Sequence, residues 1–150
     1  MRTLVLGYGN PGRGDDGLGP ALVAGLEGRT AAAVTLQTAM QLQPEHVLDL
    51  EAHDRCLLID AGLETPAPFR FEPLRPRRDA SAFSHALSPW ALLHVYRTTL
   101  RRPPPPVFLL TIAGSRFGLG ETLSVPARRH LDRAMAFVIT WLADARAVAG

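Results

Sequence analysis

Residues 55–60 read Arg-Cys-Leu-Leu-Ile-Asp, a short run that is nearly all apolar and ends on an acid. A strand wetted on one face alternates apolar and polar side chains, so a run without alternation needs both faces covered. Two further apolar runs, 2–7 and 107–112, have strand length, and residues 32–38 read as a further strand. Between them lie helical segments. One is expected over about 16–26, and a short one over 43–51, with Pro44 in its first turn. Ser88-Pro89 supplies an N-cap and a proline at the first helical position. Trp90, Leu93, Tyr96 and Leu100 follow at helical spacing until the prolines at 103–106 stop the helix. Ser124 and Pro126 open a last helix with Leu131, Met135, Val138 and Leu142 along one face. The stretch 62–86, rich in proline and arginine, reads as an excursion carrying a site, with Phe69 and Phe71 alternating as in an edge strand. This order predicts an α/β fold: a doubly wound, mainly parallel sheet with helices on both faces. A chain of 150 residues builds one such domain.

In folds of this kind ligands bind beyond the carboxyl ends of the strands, near the point where strand order reverses. The loops after the first, third and last apolar runs are therefore where chemistry is expected. Composition removes several chemistries. All 16 basic residues are arginine, which leaves no Schiff-base lysine, no phosphate-loop lysine and no serine-lysine dyad. The net charge is only +2 and the arginines are scattered, so no nucleic-acid surface is expected. Cys56, the single cysteine, falls mid-run where a buried structural residue is expected, and no Gly-x-Ser-x-Gly elbow exists. No run approaches the roughly 18 apolar residues of a membrane helix, and residues 1–7 are too short for a signal peptide. A soluble cytoplasmic protein is expected.

The loop after the first run reads Gly7-Tyr8-Gly9-Asn10-Pro11-Gly12-Arg13-Gly14-Asp15-Asp16-Gly17-Leu18-Gly19. Its first six residues satisfy the dinucleotide pattern GxGxxG. That pattern wants an acid about twenty residues on, where this chain has Thr35-Leu36-Gln37-Thr38, and a pyrophosphate here would meet Asp15 and Asp16. Taken alone, the two aspartates read as helix caps that complement the dipole, with cation ligands as the alternative that Asp60 favours. Asp60 stands at the end of its run and is expected in a loop facing the same crevice. Acids that converge there repel each other unless a cation or proton lies between them. His46, His53, His94 and His130 fall where packing or surface roles are expected. His85 lies just before a capped helix, where a loop aims it at the crevice. Two carboxylates and an imidazole suit nickel or zinc, and Asp16 with Asp60 also suits metal-independent acid catalysis as a carboxylate pair. A non-catalytic nucleotide- or metal-binding module and a resident-metal hydrolase stay open beside these.

The same residues resemble the hydrogenase maturation proteases, which trim the C-terminal extension of the nickel-iron hydrogenase large subunit. The likeness begins with Gly7-x-Gly9-Asn10-x-x-x-Gly14-Asp15-Asp16-Gly17-x-Gly19. It continues through Leu57-Leu58-Ile59-Asp60-Ala61, His85 and Gly120-Glu121-Thr122-Leu123-Ser124. The resemblance implies that Asp16, Asp60 and His85 contact nickel already inserted in the precursor, so that no resident cofactor is needed. It also implies that Asp16 and Asp60 carry the peptidase chemistry. Gly9, Asn10 and Gly14 would shape the first loop against substrate, with Gly118 and Gly120 on the rim. The partner would be the hydrogenase large-subunit precursor, met by a monomer. At 38–45 the chain reads Thr-Ala-Met-Gln-Leu-Gln-Pro-Glu, where many members have a glycine-rich turn.

Overall fold

The computed structural model describes residues 1–78 and 87–144. In chain order the elements are β1 (Thr3–Tyr8), a 3₁₀ turn (Gly14–Gly17), α1 (Leu18–Leu26), β2 (Val34–Ala39) and α2 (His46–Glu51). They continue with β3 (Arg55–Gly62), β4 (Phe69–Pro73), α3 (Pro89–Leu100), β5 (Val107–Ala113) and α4 (Val125–Ala143). The strands form one sheet in the order β2-β1-β3-β5-β4. Every pairing is parallel except that of β4, which runs antiparallel along the edge of β5. The expected doubly wound, mainly parallel sheet is therefore present.

Strand alternation sends Leu4, Leu6, Cys56, Leu58, Val107 and Leu109 to one face, where they pack with residues of α2 and α3. Val5, Leu57, Ile59, Phe108, Leu110 and Ile112 go to the other, under α1 and α4. The fully apolar runs are those covered on both sides, as their composition requires. Cys56 is wholly buried, and burial pushes its thiol up to about 12, which leaves it without nucleophilic thiolate.

Several boundaries differ from the sequence reading. The first helix opens as a 3₁₀ turn over Gly14–Gly17 before the α-helix begins, and neither Asp15 nor Asp16 caps it: no side-chain cap bond exists at either start. The chain at 43–45 only approaches α2, which starts at His46. The buried residues of α4 are Ala127, Ala134, Val138 and Trp141, a face rotated from the one read off the sequence. Leu131 and Met135 pack at its margin, and the Met135 methyl lies where a side chain on Gly25 of α1 would be. Ser88 caps α3 as expected, accepting from the Ala91 amide.

Arg55 is 1% exposed although it is charged, a placement its composition did not announce. Its guanidinium donates to Thr3 Oγ1 (2.9 Å) and to the carbonyls of Leu142 (3.0 Å) and Asp144 (3.1 Å), and lies 4.1 Å over the Trp141 ring. It thus satisfies the last carbonyls of α4 and complements the negative end of that helix.

The first helix seats directly on strand backbone. A Cβ on Gly19 would lie 2.5 Å from the Ile59 carbonyl oxygen and 2.9 Å from both Tyr8 N and Tyr8 O. Gly19→Ala is expected to push α1 off the sheet at a cost of about 2–3 kcal/mol. Thermal unfolding should register this as a melting temperature lower by roughly 5–10 °C.

Candidate active site

The sheet winds outward from β1 to β2 and then crosses back to β3, so strand order reverses between β1 and β3. Pairing of β1 with β3 stops at Gly7 and Ile59, whereas β3 continues against β5 as far as Gly62 and Ala113. β3 therefore projects past its other neighbour. Asp60 is the first residue of that projection and stands opposite Thr111, within the strand as the run 55–60 has it and not on a loop, and the strand continues to Gly62.

Asp16 reaches the same place from the 3₁₀ turn after β1. Its Oδ2 accepts the Asn10 amide at 2.7 Å, and Asp60 Oδ1 accepts the Ala61 amide at 2.7 Å. Each carboxylate thus has one oxygen fixed by a backbone N–H, and the other accepts no backbone N–H among the described residues. Burial is the main influence that raises the Asp60 carboxyl to about 6, and the Asp16 charge adds to it. The Ala61 amide and the nearby Tyr8 hydroxyl pull the other way. An acid poised there exchanges its proton near neutral pH.

The adjacent acid has a different task. Asp15 is fully buried, and its carboxylate accepts four bonds from the loop 114–124. The amides of Ser115 (2.8 Å), Arg116 (3.0 Å) and Ser124 (2.8 Å) and the Ser124 hydroxyl (2.8 Å) all donate to it. Burial pushes this carboxyl up, but the four donors more than offset it and hold Asp15 below the ordinary range. Backbone bonds complete the join: Gly120 N donates to Gly12 O, Gly14 N to Glu121 O and Asp15 N to Arg116 O. The first and last loops are one unit, and Asp15 is its anchor. Sequence reasoning missed this role because its partners lie about a hundred residues away.

The glycines assigned to substrate have intramolecular reasons to be glycine. Gly9 has φ +141° and a Cβ there would lie 1.9 Å from the Asp16 carbonyl oxygen. Gly14, at φ +57°, faces Arg116 O at 2.4 Å. Gly118 abuts the Glu121 carboxylate, and Gly120 takes a left-handed φ of +80° with open space around it. Asn10 closes a turn by accepting the Gly12 amide on its side chain. Gly9 and Asn10 thus shape the support of Asp16, while Gly14 seals the first loop to the last.

This bonding bears on the phosphate reading. Every amide from 9 to 16 is already spent: on Ala39 O, Asp16 Oδ2, Asn10 Oδ1, Asn10 O, Glu121 O, Arg116 O and Arg13 O, position 11 being proline. A phosphate-binding loop needs such amides turned toward the ligand. With none to offer and two acids present, the loop does not favour a nucleotide.

His85 lies outside the described residues. Among the described histidines, His53 bridges Asp49 O and Thr35 Oγ1, His46 accepts the Gln43 amide, and His130 contacts Ala113 O at 2.8 Å. No three His, Cys, Asp or Glu side chains cluster at metal-binding range among the described residues. Nor is any described helix long and apolar enough to cross a membrane.

No family model and no curated protein matches the chain by sequence. Solved structures do match by fold. The [NiFe] hydrogenase maturation protease HycI of Thermococcus kodakarensis superposes with a TM-score of 0.73 at 19% identity, over 95% of this chain and 93% of that one. The hydrogenase maturating endopeptidase HybD of E. coli gives 0.72 at 21% identity, over 95% and 93%. A hydrogenase 2 maturation peptidase from a Thaumarchaeota archaeon gives 0.70 at 22%, over 95% and 99%. The chain has the fold of the hydrogenase maturation proteases over nearly its whole length.

Proposed function

We propose that this chain is an endopeptidase that removes the C-terminal extension of a nickel-iron hydrogenase large-subunit precursor once nickel has been inserted. The observation that carries the reading is the pair Asp16 and Asp60. They meet at the reversal of strand order, each with one oxygen held by an amide and the other left to act. Two acids so placed favour a divalent cation between them. In this reading the cation is nickel borne by the substrate, and His85, from the sequence, joins the two aspartates in contacting it.

The chemistry follows from Asp60. Engagement of nickel favours its ionised form, and that carboxylate both locates the metal and accepts a proton from the water that attacks the adjacent peptide bond. A precursor without nickel leaves the acids mutually repelled and its scissile bond unplaced, so cleavage reports completed insertion. The rim of the crevice is the joined loop pair, with Gly118 and Gly120 toward substrate. The reading further takes the protein to be a cytoplasmic monomer with no resident cofactor and no nucleic-acid or membrane partner.

The test is to incubate the purified protein, and its Asp16→Ala variant, with a hydrogenase large-subunit precursor and follow its length by mass spectrometry. Shortening by the parent and none by the variant is expected, with circular dichroism unchanged. Equal shortening by both removes Asp16 from the chemistry, and a precursor left intact by the parent contradicts the peptidase reading.

A further inference from the structure

Tyr8 ends β1 on the face covered by α2 and α3, following Leu4 and Leu6 by strand alternation. Asp60 follows Cys56 and Leu58 on the same face of β3. Because Gly7 pairs with Ile59 in parallel register, the next residues of the two strands, Tyr8 and Asp60, are neighbours on one face where the pairing ends. Tyr8 is 7% exposed, and its hydroxyl is buried with no hydrogen-bond partner of good geometry. A buried hydroxyl without a partner is costly and calls for an explanation. The Asp60 carboxyl is close enough for the hydroxyl to influence its acidity, yet the two are not aligned in a full hydrogen bond. Burial, and after it the Asp60 and Asp16 charges, holds the phenol well above its ordinary range, so it stays a neutral donor.

Building on the peptidase reading above, we infer that Tyr8 is a positioning residue of the site. Its hydroxyl donates to Asp60 when that carboxylate is engaged, and fixes the direction in which Asp60 meets the substrate. The Ala61 amide holds one oxygen of Asp60, and Tyr8 supplies a second restraint, which fixes the direction in which the carboxylate faces the nickel and the attacking water. Such restraint acts on the reacting state more than on binding.

Tyr8→Phe keeps the ring and deletes only the unpaired hydroxyl. It should melt at or above the parent temperature, hold KM for the precursor within about threefold, and lose about ten- to a hundredfold in kcat, the size of a hydrogen bond to a charged group. A buried tyrosine hydroxyl proton also exchanges slowly enough to be seen by NMR. That resonance should be absent from Tyr8→Phe and displaced in Asp60→Asn. A Tyr8→Phe protein with parental kcat overturns the inference. So does one whose kcat loss follows a lowered melting temperature, which marks a packing role. If the parent cleaves no precursor, the peptidase reading fails, and the resonance alone decides the pairing: displacement in Asp60→Asn supports it and an unmoved signal rejects it.

Discussion

Asp60→Asn is expected to lose precursor processing by about a hundredfold or more while folding more tightly than the parent at pH 8. The Asp60 carboxyl titrates at about 6 in the folded chain against an ordinary 3.8, chiefly because it is buried. A raised carboxyl stabilises the fold while it is protonated. That contribution is fully present below about pH 4 and is lost as pH rises through about 6. Asparagine keeps an acceptor for the Ala61 amide and removes both the buried charge and its repulsion with Asp16. The gain should be on the order of 2 kcal/mol at pH 8 and should vanish below about pH 4. Thermal unfolding of the two proteins at pH 4, 6 and 8 measures it. A variant less stable than the parent at pH 8 would make Asp60 a structural acid. Stability sacrificed at a reactive group is the usual mark of a working site.

Asp15→Ala should have the opposite character. It removes the acceptor of four buried hydrogen bonds, leaves three backbone amides without partners, and frees the loop 114–124 from the first loop. The cost should be about 3–5 kcal/mol, and Asp15→Asn should recover little of it, because an amide group turns a donor toward other donors. The sign of the pH dependence is also reversed. Asp15 is held below its ordinary range, so its contribution is present above about pH 4 and fades as pH falls through the lowered value. Guanidinium titration of parent and variant at pH 7 and at about pH 2 checks both points, with the difference largest at pH 7. The two adjacent acids of one motif thus divide into a support and a reactive group.

The physical reasons for what the sequence disclosed are visible in particular residues. The continuous apolar character of 56–59 announced a strand covered on both faces, because a strand wetted on one face would have alternated. Ser88-Pro89 and Ser124 announced helix starts because capping is a contact within a few residues. Phe69 and Phe71 announced an edge strand, and they lie against Phe108, Phe137 and Trp141. Long-range facts were not legible. That β3 runs on past Asp60 to Gly62 depends on β5 continuing beside it after its pairing with β1 has ended. The buried Arg55 depends on where α4 ends, and the anchoring role of Asp15 depends on a loop at the far end of the chain. Tyr8 occupied the variable position of the motif and carried no signal, since its relation to Asp60 exists only through the register of two strands.

Recognition of nickel in the substrate is tested most directly by one comparison. The purified protein is incubated with a nickel-loaded large-subunit precursor and, separately, with the same precursor lacking nickel, and each large fragment is weighed by mass spectrometry. Shortening of the nickel-loaded form alone is the predicted result. Equal shortening of both forms, or of neither, would contradict metal-directed cleavage by Asp16 and Asp60.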